Sequence, residues 1–191
     1  MTAVRSAPDW DRLYELAASQ DGLFTTAQAK NAGYSPELLI HHLGTGKFHR
    51  VQRGIYRIFH FPAGEHEDLV ATWLWSEQQG IFSHQTALFL HGLSDALPSR
   101  AHLTLPANWR RRRLRIPAGL ELHHADVDEA QRSWVGSIPA TAPLRTLADC
   151  ASTHLSRDLL EQAIQEANRR GIVTRAELQS IGLGADCDER Q

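Results

Sequence analysis

The sequence is poor in lysine, in cysteine and in long apolar runs. Of its 20 basic residues only two, Lys30 and Lys47, are lysines. The two cysteines, Cys150 and Cys187, are too few for a disulfide framework or a cysteine-bound metal, so we expect two free thiols. No run approaches the roughly 18 apolar residues that a membrane helix needs. A secreted disulfide scaffold and a membrane-spanning protein are therefore excluded.

The first residues, "MTAVRSAPDWDRL", also lack the apolar stretch of a signal peptide. We therefore expect a cytoplasmic protein that does not bind membranes. With 191 residues and 42% hydrophobic composition, the chain can bury one ordinary core or a small core beside a larger one. One or two domains are expected.

The scarcity of lysine argues against one class of enzyme. The usual restriction-nuclease site needs a glutamate two residues before a lysine, beside a metal-binding aspartate. Gln28 stands at that spacing before Lys30, and Thr45 stands there before Lys47. A serine hydrolase is disfavoured too, because the glycines of a nucleophile elbow are missing. We expect a binding protein that is not an enzyme and needs no cofactor.

Positive charge is concentrated in one segment of the N-terminal third. The net charge is only −2, yet residues 1–62 hold seven cations and five acids. Residues 38–60 hold four cations and four histidines and no carboxylate. The segment contains a Gly-Lys pair, but a phosphate-binding loop would need a glycine at His41 and a Ser or Thr at Phe48. A surface that contacts DNA explains the charge better.

The residues before and within this segment predict three helices and a hairpin. Apolar spacing from Trp10 predicts the first helix, and a capping box that starts at Thr25 predicts the second. The third begins with Ser35 as N-cap and ends at Gly44. Two alternating segments around Gln52-Arg53-Gly54 then predict two strands joined by a tight turn. This order of elements predicts a winged helix-turn-helix.

The helical wheel predicts which face of the third helix is exposed. At about 100° per residue, Pro36, Leu39, Ile40 and Leu43 fall on an inward face. The outward face would enter the major groove while hairpin cations lie near phosphates. The predicted DNA-contacting residues are Ser35, Glu37, Leu38, His41, His42, Lys47, Arg50, Gln52, Arg53, Tyr56 and Arg57. The alternative is a solvated basic hairpin within a domain that binds protein.

Five segments, in order, resemble the AbiEi-type antitoxins and their transcriptional-regulator relatives. They are "GLFTTAQAKNAGYS", "GKFHRVQRGIYRI", "SHQTALFLHGL", "LTLPANWRRRR" and "IPATAPLRTLADCA", and the resemblance covers roughly residues 12–180. It implies a winged-helix domain that represses its own operon and a C-terminal domain that counters a nucleotidyltransferase-like toxin. Relatives often carry a basic residue where this chain has Gly44 and Thr45, which shifts the expected phosphate contacts to Lys47 and the hairpin.

The remainder of the chain predicts a second, mixed α+β domain. "EHEDLVATWLWSEQQG" is a helix that we expect to connect the two domains. "AHLTLP", "LELHHA" and "WVGSIPAT" are predicted strands, and three further amphipathic or capped segments are predicted helices. The predicted division is 1–62 for the winged helix-turn-helix, 63–183 for the α+β antitoxin domain and 184–191 for a disordered tail.

The eleven histidines and a run of arginines are further candidates for sites in the sequence. His41-His42 and His123-His124 are adjacent pairs that point apart on a helix or a strand, so we expect no metal site. A second basic cluster comprises Arg110, Arg111, Arg112 and Arg113. A second DNA contact, a contact to the acidic stretch at 121–129 and a solvated loop all remain open for it.

The sequence thus predicts an α+β protein that binds operator DNA as a repressor and opposes a nucleotidyltransferase-like toxin as an antitoxin. We expect a monomer or a weak dimer. Two alternatives stay open. One is a protein-interaction adaptor whose winged helix binds protein, and the other is a degenerate relative of regulator–nuclease fusions.

Overall fold

The computed structural model describes residues 7–95, 98–153 and 155–183. The chain forms two compact units that divide between Gln78 and Gln79. Each unit contains helices and one sheet, which confirms the predicted α+β class. Within the described ranges, no helix is long and apolar enough to cross a membrane. The predicted tail at 184–191 and Cys187 lie outside the described residues.

The first unit combines four short helices with a three-stranded antiparallel sheet of order β1-β3-β2. Its elements are α1 (Trp10–Ala18), β1 (Leu23–Thr25), α2 (Thr26–Asn31), α3 (Pro36–Gly44), β2 (Phe48–Gln52), β3 (Ile55–Ile58) and α4 (Glu67–Trp75). The three predicted helices and the two predicted strands of the hairpin are all present.

Side-chain caps determine where α2 and α3 begin. The Thr25 hydroxyl accepts a hydrogen bond from the Gln28 amide, and the Gln28 side chain accepts one from the Thr25 amide. This is the predicted capping box. The Ser35 hydroxyl accepts a hydrogen bond from the Leu38 amide at 3.2 Å, so Ser35 caps α3 as predicted. The turn between α2 and α3 spans residues 32–35 only.

Phe48 lies at the centre of the first core and is 1% exposed. Its ring centroid is 4.9 Å from that of Phe24 on β1 and 5.1 Å from that of His42 on α3. The ring centroids of Tyr34 and Trp10 are 5.9 Å and 6.3 Å from that of Phe48. Rings from the helices and from the sheet therefore meet on this one side chain.

The helix α4 packs on β1 and β3 and belongs to the first unit. The first unit therefore extends beyond the predicted boundary after residue 62. The side-chain amide of Gln52 donates a hydrogen bond to the backbone carbonyl of Ala71 at 3.1 Å, and this bond connects the end of β2 to α4. Leu69, Trp73 and Leu74 of this helix are buried.

The second unit is built on a mixed five-stranded sheet of order β6-β5-β4-β8-β7. Its elements are β4 (Ile81–Phe82), α5 (His84–Leu90), β5 (Ala101–Leu105), β6 (Leu120–His124), β7 (Arg132–Val135), β8 (Ile138–Thr141), α6 (Pro143–Ser152), α7 (Arg157–Arg169) and α8 (Arg175–Ser180). The predicted single strand "WVGSIPAT" is instead a hairpin, because Gly136 turns the chain at φ +59°.

The helices of the second unit bury a core that includes Leu88, Leu147, Cys150 and Ala163. The Cys150 thiol is free and buried. Burial, followed by the nearby Asp149 carboxylate, raises its pKa to about 12. On α6, Arg145 and Asp149 form an ion pair one helical turn apart, with the Arg145 Nε 2.7 Å from the Asp149 Oδ1.

Candidate nucleic-acid interface

The exposed face of α3 is rotated relative to the predicted one. Glu37, Ile40 and His41 are exposed, and Ile40 is 68% exposed. Leu39 is buried, and Leu38 packs against the same core. The prediction was wrong for Ile40, which points outward, and for Leu38, which points inward. Pro36, also predicted inward, is exposed.

His42 explains the rotation. Its ring packs 5.1 Å from Phe48 and 5.8 Å from Tyr34, measured between centroids, so this side of α3 faces the core. Burial, then the charges of Lys47 and His41, lowers the pKa of His42. The ring is therefore neutral at pH 7, and we assign it a packing role. His41, one residue earlier, is the exposed member of the pair.

Sheet alternation places Arg50 on the same side as α3. Phe48 points into the helix-covered core, and residues two apart on a strand share a face. Arg50 pairs with Tyr56, whose ring lies against that core. The exposed Arg50 side chain therefore projects from the helix-covered face of the sheet, on its edge strand β2.

Lys47 and Arg53 are the other exposed cations of this segment. The ammonium of Lys47 lies 3.8 Å from the ring centroid of Trp10, which holds it near the start of β2. Arg53 lies at the tip of the hairpin beside Gly54, whose φ of +80° makes the tight turn possible. The amide of Thr26 donates to the Gly54 carbonyl at 2.9 Å and so anchors the tip to α2.

Arg57 does not join this surface, contrary to prediction. It pairs with His49 and leaves β3 on the opposite face from Arg50. Its Nη2 donates to the Phe61 carbonyl at 2.7 Å, and its Nε lies 3.4 Å from a carboxylate oxygen of Glu67 on α4. The guanidinium is half-buried and holds the unit together internally.

Three other predicted contacts have structural partners. The Ser35 hydroxyl caps α3, and the Gln52 amide donates to α4. The Tyr56 ring stacks on Phe24 with centroids 5.7 Å apart. We define the α3–β2 face as six exposed residues of α3 and the adjoining hairpin segment: Glu37, Ile40, His41, Lys47, Arg50 and Arg53.

The second basic cluster lies in the second unit, on and just after a 3-10 turn at Ala107–Arg111. All four arginines from 110 to 113 are exposed. The guanidinium of Arg112 lies 4.1 Å from the ring centroid of Trp109. Exposure is expected both for a contact surface and for a solvated turn. The structure therefore leaves the predicted alternatives for the second basic cluster open.

The geometry defines the first unit as a small α+β domain that presents one helix face beside an arginine-rich hairpin. Residues 11–58, which contain α2, α3 and the hairpin, match the family model described as "Transcriptional regulator, AbiEi antitoxin". The resemblance predicted from the sequence is confirmed over this range.

One solved structure is similar to nearly the whole chain. It is the crystal structure of the RV2827C protein from Mycobacterium tuberculosis, which is 18% identical. The similarity covers 92% of this chain and 78% of that one, with a TM-score of 0.49. No curated protein matches the sequence.

Proposed function

We propose that the chain is a transcriptional repressor that binds operator DNA through a winged helix-turn-helix and acts as the antitoxin of its operon. The observation that carries this proposal is the α3–β2 face. It combines exposed residues of α3 with three exposed cations of the same small unit, Lys47, Arg50 and Arg53, and the strand register supports the position of Arg50 on the helix-covered face of the sheet. The match of residues 11–58 to an antitoxin regulator family supports the same function.

In this proposal α3 lies in the major groove. Glu37 can accept a hydrogen bond from the amino group of a cytosine, and Ile40 can contact a thymine methyl group. Lys47, Arg50 and Arg53 neutralise phosphates beside the groove, which releases counterions and fixes the register. Phosphate contacts supply affinity, and the helix supplies sequence preference.

The second unit is proposed to counter a nucleotidyltransferase-like toxin by binding rather than by catalysis. The family match that names an antitoxin covers residues 11–58 of the first unit, and we assign the antitoxin role to the second unit because its segments resemble those of the AbiEi-type antitoxins. Co-expression should show it, because the wild-type chain should restore growth of cells that express the toxin of the same operon. Continued growth arrest would contradict the antitoxin role and leave the DNA-binding role to its own test.

A protein-interaction adaptor is the second candidate. The exposed Ile40, at 68%, is an apolar side chain that could also anchor a protein partner. Salt dependence separates the two functions, because displaced counterions are a property of polyanions.

The first prediction concerns the salt dependence of DNA binding. Fluorescence anisotropy on the upstream DNA should give a slope of log affinity against log salt near −2.7, about −0.9 for each of three cations. Arg50→Ala should lessen that slope by about 0.9. Arg57→Ala is the matched control, since Arg57 is an arginine of the same hairpin that faces away. Arg57→Ala should leave the slope unchanged. Because it removes the contacts of Arg57 with Phe61 and Glu67 it should lower stability, so both variants are measured where circular dichroism shows that they are folded.

Sequence preference is tested in the same experiment. A scrambled duplex should bind more weakly, and Ile40→Ala should reduce that difference without changing the slope. If neither duplex binds at low salt, the DNA proposal fails and the adaptor takes its place. A slope that responds equally to Arg50→Ala and Arg57→Ala would contradict the assignment of the α3–β2 face.

A further inference from the structure

Three histidines that are far apart in the sequence meet in the second unit. His84 is the first residue of α5, His102 lies on β5 and His123 lies on β6. One ring nitrogen from each lies within 4.8 Å of those from the other two. We call His84, His102 and His123 the histidine cluster.

The register of the sheet brings the cluster together. His123 pairs directly with Thr104, and His102 is two residues before Thr104 on the same strand. All three side chains therefore lie on one face of the sheet. The His102 amide donates a hydrogen bond to the Thr86 hydroxyl at 2.8 Å, which fixes the start of α5 against β5. His84 is thereby held over the strand residues.

Two hydroxyl groups orient His84. Its Nδ1 lies 2.9 Å from the Ser83 Oγ, and the Thr104 hydroxyl donates to the same oxygen at 2.8 Å. When His84 Nδ1 carries the proton and donates it to Ser83, Nε2 is left as a free lone pair. Metal-binding histidines are oriented in this way by a partner on the second ring nitrogen. Ser83 occupies the N-cap position of α5, but its hydroxyl makes no capping hydrogen bond to the helix and contacts His84 and Thr104.

The backbone at His84 points to the same use. Its φ is +53°, in the left-handed region that favours glycine. Such a conformation is uncommon and costs free energy in a residue with a side chain, so the surrounding contacts must hold it. Here those contacts direct the imidazole at His102 and His123.

We propose that the histidine cluster binds one divalent transition-metal ion of the zinc type. Imidazole nitrogens suit zinc, copper, iron and nickel, and three histidines leave a fourth position for water. Ligands of a tetrahedral zinc ion lie about 3.3 Å apart, given bonds of about 2.0–2.1 Å. The His102 Nδ1 and His123 Nε2 lie 3.0 Å apart, close to that spacing, and the nitrogens of all three residues lie within 4.8 Å of one another.

The surroundings keep the ligands unprotonated. Burial lowers the pKa of all three imidazoles, and a neutral imidazole is the form that binds metal. A buried carboxylate also lies close by. Asp149 acts electrostatically on His123, and its Oδ2 has no hydrogen-bond partner among the described residues. A polar cluster of neutral rings with no ion is the competing explanation, and it makes the opposite prediction for zinc binding.

The test uses untagged full-length protein treated with a chelator and dialysed, then titrated with Zn²⁺ by isothermal calorimetry. We expect one high-affinity ion per chain. His123→Ala should weaken that affinity by at least about 100-fold, more than the loss of an orienting partner usually costs. His124→Ala is the matched control, because it removes a histidine from the same strand on the opposite face. It should bind zinc like the wild type.

Thr104→Val provides a variant that removes no ligand. It should weaken zinc binding by about tenfold or more, because the hydroxyl chain that orients His84 is broken. Co²⁺ in place of zinc should give the visible absorption of a tetrahedral site, and His123→Ala should lose it. Absence of a one-to-one high-affinity site, or equal affinities for His123→Ala and His124→Ala, would overturn the proposal. Circular dichroism of each variant shows that the fold is retained.

Discussion

Replacing Phe48 with alanine should lower the free energy of unfolding of the first unit by about 3–5 kcal/mol. Phe48 is 1% exposed, and its ring contacts those of Phe24, Tyr34 and His42. Alanine would leave a cavity where β1, the start of α3 and the end of α3 meet. Urea denaturation, followed by Trp fluorescence and by circular dichroism, measures the change.

Phe59→Ala is the control for this substitution. Phe59 follows β3 directly, is 50% exposed and contacts the His49 ring at 4.7 Å between centroids. Its replacement should change the free energy of unfolding by no more than about 0.5 kcal/mol. Comparable losses in both variants would mean that Phe48 is not the centre of this core. The Phe48→Ala variant should also bind DNA more weakly below its unfolding transition, because Phe48 connects α3 to β2.

The Cys150 thiol should resist alkylation in the folded protein by at least about a thousandfold relative to the unfolded chain. A rise in its pKa from 9.0 to about 12 lowers the fraction of reactive thiolate about a thousandfold at pH 8. Burial slows alkylation further because it keeps the reagent away from the sulfur. A Cys187→Ser background leaves Cys150 as the remaining thiol. Iodoacetamide modification, measured by mass spectrometry with and without urea, gives the ratio.

Leu147→Ala tests the cause of this protection. Leu147 is fully buried in the same core as Cys150, so its loss should open the region and speed alkylation. Ser152→Ala, an exposed position on the same helix, should leave the rate close to that of the parent. Rapid alkylation of folded Cys187→Ser protein would show that the thiol is accessible.

The sequence predicted best those features that depend on neighbouring residues. The capping box at Thr25 and the Ser35 cap are hydrogen bonds between residues three apart, so the pattern itself contains them. The ion pair of Arg145 with Asp149 is of the same kind. These features could be predicted without knowing how the elements pack.

Features that depend on packing were predicted less well. The helical wheel placed Ile40 inward and Leu38 outward, and the packing of His42 against the rings of Tyr34 and Phe48 reverses the two. Arg57 was grouped with the other cations because charge alone was counted. Alternation along the hairpin could have separated it from Arg50, since the two lie on opposite faces of the paired strands.

The histidine cluster could not be predicted at all from spacing. His84, His102 and His123 are separated by 18 or more residues, and only the pairing of β5 with β6 and the position of α5 bring them together. The sequence itself shows only the adjacent pair His123 and His124, which point to opposite faces of one strand.

The attachment of the hairpin to α4 limits how the first unit could be isolated. Arg57 contacts Glu67, and Gln52 contacts Ala71, so α4 covers the side of the sheet that the other helices leave open. A fragment cut after residue 62 would lose that cover and expose Ile55, which shares a face with Arg57. Such a fragment would tend to aggregate through its bare sheet. The shortest piece of the first unit that folds by itself should extend to Gln78.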